Sequence, residues 1–329
     1  MMKNGPLFSI VIPVRNEGAL LTRCLDSLMK LDYPKDRFEI IVSDGLSTDN
    51  TKELARNYAV KVVDNNKQVV VSGRNRGFKE AAGDIVVFTD ADCTFHTQWL
   101  RNSIKYFADD KIGGVGGVTF MPPESSSFEK AIDFLFRLAE FFQATAHRKG
   151  LSAAKEVNDI PGCNAFYRKE ALERVMPVDE NLLTAEDVWM NFCVRKSGYK
   201  LVQAPDVILW HYRRNSPKRF ARQIYRFAIG RLQVGKRCFG LLNIFHIICG
   251  LSIPFFLLSA IIFYLSGAID LFFKSGIIFF ITLILLALVK KMAIKAALNM
   301  PLAIIIFAFF WSAGFLRELF FPLKDIKGK

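Results

Sequence analysis

No acidic side chain occurs between residues 213 and 237, and no formal charge of either sign between Cys238 and Ile269. The first gap excludes an evenly charged, solvated helix. The second excludes an ordinary soluble one, because a bilayer core takes about 20 apolar residues as helix and this run has 32. A CxxC pair is also missing. The six cysteines, Cys24, Cys93, Cys163, Cys193, Cys238 and Cys249, are scattered, the last two at or inside the uncharged run, and read as reduced structural thiols in a reducing compartment. A secretory signal is absent too. Leu7 to Val14 is eight residues, interrupted by Ser9 and Pro13, and runs into Arg15-Asn-Glu17, which is the pattern of a strand. At 51% hydrophobic and 23% charged, the 329 residues are too apolar for a disordered chain and too charged for an all-membrane one.

The charge that is present is unevenly placed. Residues 1–212 carry 27 basic and 28 acidic side chains, residues 213–237 nine basic ones, and residues 241–329 eight basic against three acidic. A near-neutral globular part argues against a nucleic-acid partner, which needs a basic face on the folded domain. The pattern predicts three regions: a domain over 1–212, a basic juxtamembrane segment over 213–240, and a membrane region over 241–329. That region has about three apolar segments, near 241–267, 271–289 and 298–318. Nine cations before the first segment place residues 1–240 in the cytoplasm of a cell-membrane protein, and Lys290, Lys291 and Lys295 agree. Three full crossings would put Lys324, Lys327 and Lys329 outside. Either the third segment is re-entrant or the rule fails there.

In residues 1–212 strands and helices alternate: strand Phe8 to Pro13, helix Glu17 to Leu31, strand Phe38 to Ser43, helix Asp49 to Tyr58, strand Val60 to Val63, helix Gly73 to Ala82, strand Asp84 to Thr89. That alternation predicts an α/β fold, a mostly parallel sheet with helices on both faces. Ligands of such sheets bind beyond the C-terminal strand ends. Polar loops stand there: Pro13-Val-Arg-Asn-Glu17, Asp44-Gly-Leu-Ser-Thr-Asp-Asn-Thr51 and Asp90-Ala-Asp92. Taken singly, each has an ordinary explanation, such as a helix cap at Ser47 to Asn50. If residues 90–92 are extended, Asp90 and Asp92 point the same way, and two carboxylates so close call for a cation. A hard divalent ion, Mg²⁺ or Mn²⁺, suits them.

Together, Ile12-Pro-Val-Arg-Asn-Glu17, Ser43-Asp-Gly-Leu-Ser-Thr-Asp-Asn-Thr51, Gly73-Arg-Asn-Arg-Gly77 and Asp90-Ala-Asp92 resemble the family 2 glycosyltransferases of the GT-A fold. Downstream, Pro161-Gly-Cys-Asn-Ala-Phe-Tyr-Arg168 resembles their acceptor-side loop and strand, Glu186-Asp-Val-Trp-Met190 their ED motif, and Gln223-Ile-Tyr-Arg-Phe227 the QxxRW motif of exopolysaccharide and cellulose-synthase-like members, with Phe227 in place of Trp. The resemblance covers roughly residues 7–240.

It implies an inverting enzyme that moves a sugar from a nucleotide diphosphate sugar to an acceptor hydroxyl on a lipid-linked or polysaccharide acceptor. Such a displacement needs a base, neutralisation of the departing diphosphate, and alignment. By resemblance the base is Asp187, helped by Glu186. The metal ligands are Asp92 and Asp90, with Asp90 also near the ribose. The donor contacts are Pro13, Val14, Glu17, Asp44 and Arg74, and the acceptor loop is Gly162, Cys163 and Asn164. Gln223, Arg226 and Phe227 would serve the diphosphate and acceptor, and His211 either the metal or diphosphate or only packing. The amphipathic stretch Ser125 to Lys149 is either core or an interfacial helix near a lipid-borne acceptor.

Other readings remain open. A polyprenyl-phosphate sugar synthase would need no strong base, because a phosphate oxygen is already a nucleophile. A nucleotidylyltransferase would want a Gly-rich loop at the first strand end, where none occurs. A transporter or sensor would want paired charges inside the apolar segments, which are also missing.

Overall fold

The computed structural model describes residues 5–141, 152–212 and 215–323, the side chains of 138–141 excepted. Arg213, residues 142–149 of the amphipathic stretch, and Lys324, Lys327 and Lys329 lie outside the described residues. The chain divides into two compact units, residues 5–122 with 152–212, and residues 123–141 with 215–323.

The first unit is built on nine strands: β1 (Phe8–Val14), β2 (Phe38–Asp44), β3 (Lys61–Asp64), β4 (Ile85–Thr89), β5 (Cys93–Phe95), β6 (Ile112–Phe120), β7 (Lys155–Val157), β8 (Asn164–Arg168) and β9 (Lys200–His211). They form one sheet in the order β3-β2-β1-β4-β8-β6-β9-β5, with β7 on β9. The predicted parallel arrangement holds from β3 to β4. Beyond β4 the sheet is mixed, because β8 runs antiparallel to both β4 and β6.

Burial on both faces explains why β1 is apolar along nearly its whole length. Phe8, Ile10, Ile12 and Val14 meet Leu21, Leu25 and Leu28 of helix Gly18–Met29 in one cluster. On the other face helix Val70–Lys79 lies close because Gly73 and Gly77 carry no side chain. A Cβ on Gly73 would stand 2.8 Å from Pro13 Cβ, and one on Gly77 would collide with Val11. That helix starts at Val70, three residues before the predicted Gly73. Helix Gly18–Met29 and the three strands β1, β2 and β4 fall within one or two residues of their predicted bounds.

The second unit is helical. Helices Ser127–Phe141, Pro217–Arg237 and Met300–Phe320 share an apolar core that includes Phe128, Phe136, Phe220, Ile224, Trp311 and Phe315. Residues 123–141 therefore pack with the C-terminal helices, although sequence order put them inside the 1–212 domain, and the stripe Phe128, Ile132, Phe136 is core. Ile269–Val289 and Ile294–Phe320 are each long and apolar enough to cross a membrane. The first predicted segment is a pair of helices, Ile244–Gly250 and Ser252–Leu265, bent by 55°. No disulfide joins any two of the six cysteines, all of which are described.

Candidate active site

The ends of β1, β2 and β4 bring three polar loops to one edge. At the end of β1, Val14 O accepts from Gly45 N (2.8 Å), which binds the first loop to the second. Glu17 N donates to Thr51 Oγ1 (3.0 Å), and Asn16 Oδ1 accepts from Thr48 N (2.7 Å). Asp44 is fully buried. Its Oδ2 accepts from Ser47 N (3.0 Å), while Oδ1 has no hydrogen-bond partner among the described residues.

After β4 the chain turns. Asp90-Ala-Asp92 is a turn between β4 and β5, not the extended segment expected from sequence, and the two carboxylates take different partners. Asp92 is buried, with Oδ1 3.1 Å from His211 Nε2. The sheet fixes that pair: β5 and β9 run antiparallel with Cys93 opposite His211, and Tyr212 N donates to Asp92 O (2.9 Å). Asp90, by contrast, faces Arg74 (Oδ1 to Nη2, 3.4 Å).

Arg74 is the hub. It is buried, its Nη2 donates to Gly162 O (3.0 Å), and its Nη1 lies 3.0 Å from Glu186 Oε1, an ion pair by distance without hydrogen-bond alignment. The guanidinium also sits 5.5 Å from the Phe88 ring centroid. Arg74 joins the Asp90 turn, the Gly162 loop and the Glu186 helix. Burial disfavours its charge, but Glu186, Asp90 and Asp187 outweigh that and hold it protonated.

Helix Glu186–Lys196 opens after Ala185, whose φ of 63° is left-handed and costly for a residue with a Cβ. Asp187, half-buried, accepts from Gly162 N at Oδ2 (3.2 Å) and from Val188 N at Oδ1 (2.9 Å). Glu186 is buried, and desolvation raises its pKa above the usual carboxyl range against the pull of Arg74, with Asp187 pushing the same way as burial.

The Pro161 to Asn164 segment divides in two. Gly162 touches both Arg74 and Asp187, and a Cβ there would stand 2.8 Å from Asp187 Oδ2. Cys163 O accepts from Thr89 Oγ1 (2.8 Å). Asn164 was expected to meet the acceptor, but it is fully buried and its amide is spent on the scaffold. It accepts from Trp99 Nε1 (2.9 Å) and donates to Val118 O (3.1 Å) and Val207 O (3.2 Å). Gln223, Arg226 and Phe227 lie on helix Pro217–Arg237 of the second unit, where Phe227 packs against its apolar core.

Ligand atoms of Asp92, Cys93 and His211 lie within 4.8 Å of one another. Cys93 was not foreseen as a neighbour; burial, with Cys163 and Asp92 adding to it, raises its thiol well above its ordinary value. The Asp92 carboxylate suits a hard divalent cation, and the His211 imidazole beside it fits a transition-metal ion better than Mg²⁺.

The profile of Glycosyl transferase family 2 matches residues 9–176, half of the chain. The chain belongs to that family. This glycosyltransferase is 30% identical over 271 residues to the dolichyl N-acetyl-alpha-D-glucosaminyl phosphate 3-beta-D-2,3-diacetamido-2,3-dideoxy-beta-D-glucuronosyltransferase of Methanococcus voltae, covering 77% of this chain and 81% of that one. It is 29% identical over 241 residues to the glycosyltransferase AglE of Haloferax volcanii, 71% and 76% of the two chains. The fold of the family 2 enzyme matches the mannosyltransferase PcManGT of Pyrobaculum calidifontis, solved with GDP-Man and Mn²⁺, at a TM-score of 0.68 and 20% identity over 96% of this chain and 88% of that one. The sheet is thus of GT-A type.

Proposed function

We propose that this chain is a membrane-anchored inverting glycosyltransferase that transfers a sugar from a nucleotide diphosphate sugar to a hydroxyl of a lipid-linked or polysaccharide acceptor at the cytoplasmic membrane face. The observation that carries this reading is the Arg74 bridge, which gathers the Asp90 turn, Gly162 and the Glu186-Asp187 pair around one buried guanidinium. The name of the Methanococcus voltae relative, a transferase acting on a dolichyl-linked sugar phosphate, supports a hydroxyl on a lipid-linked glycan as acceptor.

In this reading Asp187 takes the proton of the acceptor hydroxyl. The freed oxygen lone pair forms the new bond at the anomeric carbon while the bond to the diphosphate breaks on the opposite side, its electrons leaving with the phosphate oxygen, so the configuration inverts. Gly162 N and Val188 N each donate to one Asp187 oxygen and fix the carboxylate in place, and Glu186 either steadies that pair through Arg74 or binds acceptor hydroxyls. Asp44, with one carboxylate oxygen unmatched, accepts from the nucleotide base, and Glu17 and the Pro13-Val14 backbone flank the ribose. Asp92, His211 and Asp90 would hold a divalent cation, which supplies charge neutralisation to the diphosphate when bound.

The test is incubation of membranes containing the protein with labelled UDP-, GDP- and dTDP-sugars and a lipid extract, with and without Mn²⁺. A sugar joined through a new glycosidic bond to a lipid-linked glycan, with inverted configuration, supports the proposal. A sugar found on a lipid phosphate instead makes the chain a polyprenyl-phosphate sugar synthase, and donor binding with no turnover makes it a sensor.

A further inference from the structure

The apolar segments pose a conflict of charge. Lys290, Lys291 and Lys295 follow the second of them and Lys324, Lys327 and Lys329 the third. Three crossings would put these clusters on opposite sides of a membrane, although both are the kind that stays on the cytoplasmic side.

The packing inside the second unit offers a way out, because helix Met300–Phe320 is pinned at both ends to helices that carry charge. Towards its C-terminal end it runs beside Pro217–Arg237. Gly314 lies directly on the Tyr225 carbonyl, so that a Cβ there would collide with it. Phe310 lines a groove with Lys218 and Arg222, and Lys236 Nζ stands 2.6 Å from Glu318 O and 3.1 Å from Glu318 Oε1. Towards its other end, Ala297 and Met300 share an apolar cluster with Phe128 and Ile132 of Ser127–Phe141, a helix that also carries Lys130, Asp133 and Arg137. A crossing helix would drag one of these charged partners into hydrocarbon, where ionised side chains are costly.

The hairpin of Ser252–Leu265 and Ile269–Val289 behaves differently. No residue of its first leg is buried, and only Ala287 of its second. Its legs meet each other through Phe256 and Phe272, ring centroids 5.3 Å apart. Both legs meet Met300–Phe320 at the feet. Ser252 Oγ donates to Ala308 O (3.0 Å), Ile253 N donates to Ser312 Oγ (3.2 Å), and Ile284 and Leu288 join the same apolar cluster as Met300. The last helix therefore lies across the base of the hairpin. Burial agrees: 44% of the Ile294–Phe320 window is buried against 6% for Ile269–Val289. Its other face, Leu302, Ile305 and Phe309, is apolar and exposed. A helix that is apolar all round is covered on all sides, here by the basic helix on one face and by something apolar on the other.

We infer that Ile294–Phe320 does not cross the bilayer but lies in the membrane plane, at the base of a single inserted hairpin, with Leu302, Ile305 and Phe309 against the lipid acyl chains. The occupant is a lipid bilayer with an anionic surface, since Lys218 and Arg222 line a groove with Phe310 of this helix and Lys290, Lys291 and Lys295 stand in the chain at or just before its start, without an acidic residue among them. The inference rests on the membrane anchoring proposed above. It leaves both feet of the hairpin and the end of the last helix on one side, and the conflict of charge disappears.

The test uses the full chain in sealed vesicles. An alkaline wash comes first: release of the chain overturns the anchoring and this inference together. With the chain retained, Lys218→Cys and Phe321→Cys are labelled with an impermeant maleimide, read as label gained over the parent. Both are expected to react from the same face, and Phe321→Cys reacting only from the opposite face overturns the inference alone. Quenching by brominated lipids then gives depth. Labels at Leu302→Cys and Phe309→Cys are expected at a similar shallow level, about 5–10 Å into the boundary, with Ile278→Cys deeper. A label at Phe309 as deep as that at Ile278 overturns it too.

Discussion

Nη1 of Arg74 lies 3.0 Å from Oε1 of Glu186, although 112 positions of chain separate the two residues, and both are buried. This contact joins a helix packed on the first strand to the helix that carries the proposed base. Removing one member of a buried pair leaves the other uncompensated, at about 3–5 kcal/mol. Arg74→Met is therefore expected to lower the unfolding midpoint of the purified chain and to abolish transfer, whereas Arg74→Lys keeps the charge but cannot serve Glu186, Asp90 and the Gly162 carbonyl together. Thermal unfolding and transfer assays on both variants check this. Equal stability of Arg74→Met and the parent would remove Arg74 from its place as hub.

Gly162→Ala puts a methyl group 2.8 Å from Asp187 Oδ2 and 3.0 Å from Arg74 Nη1. Overpacking of this kind costs about 1–3 kcal/mol, and here it displaces the proposed base. Turnover is expected to fall while nucleotide binding, measured by calorimetry, changes little.

Asp187→Asn preserves shape and removes the proton acceptor. The expected loss in turnover is about 10²–10⁴-fold, with donor affinity intact. Asp92→Ala has the complementary signature, in which donor binding no longer responds to Mn²⁺. Unchanged metal-linked binding in that variant removes Asp92 from the ligand set.

Burial raises the Glu186 carboxyl from its ordinary value of 4.5, with Arg74 opposing and Asp187 adding to the rise. An acid raised in the folded state keeps its proton at pH values where the unfolded chain has already lost it. Its contribution to stability therefore falls as pH climbs from 4.5 toward the folded value, and is lost above that. Glu186→Gln is expected to flatten stability across this window, read as unfolding midpoint against pH for both proteins.

The parallel half of the sheet was legible because its strands are short apolar runs with polar loops behind them, as at β1 and β4. The mixed half was not. Strand β6 reads Ile-Gly-Gly-Val-Gly-Gly-Val-Thr-Phe, a composition that argues against a strand. The glycines are needed there because its neighbours press in: a Cβ on Gly114 would stand 2.7 Å from Leu201 Cδ2. The motifs showed which residue types gather at the strand ends but not how they share the work. Asn164 reads as a loop amide and is a buried scaffold, Arg74 reads as a phosphate ligand and bridges carboxylates, and both outcomes depend on partners 16 to 112 positions away.

The contact between Asp92 and His211 is set by which rung of β5 faces which rung of β9. Side chains along a strand alternate between the two surfaces of a sheet, so adding or deleting one residue in the final rungs of β9 would turn the imidazole to the opposite surface and leave Asp92 facing a different neighbour. The proposed cation pair can thus be lost with both side chains untouched, which makes the spacing of Leu209, Trp210 and His211 as much a part of the chemistry as the imidazole itself.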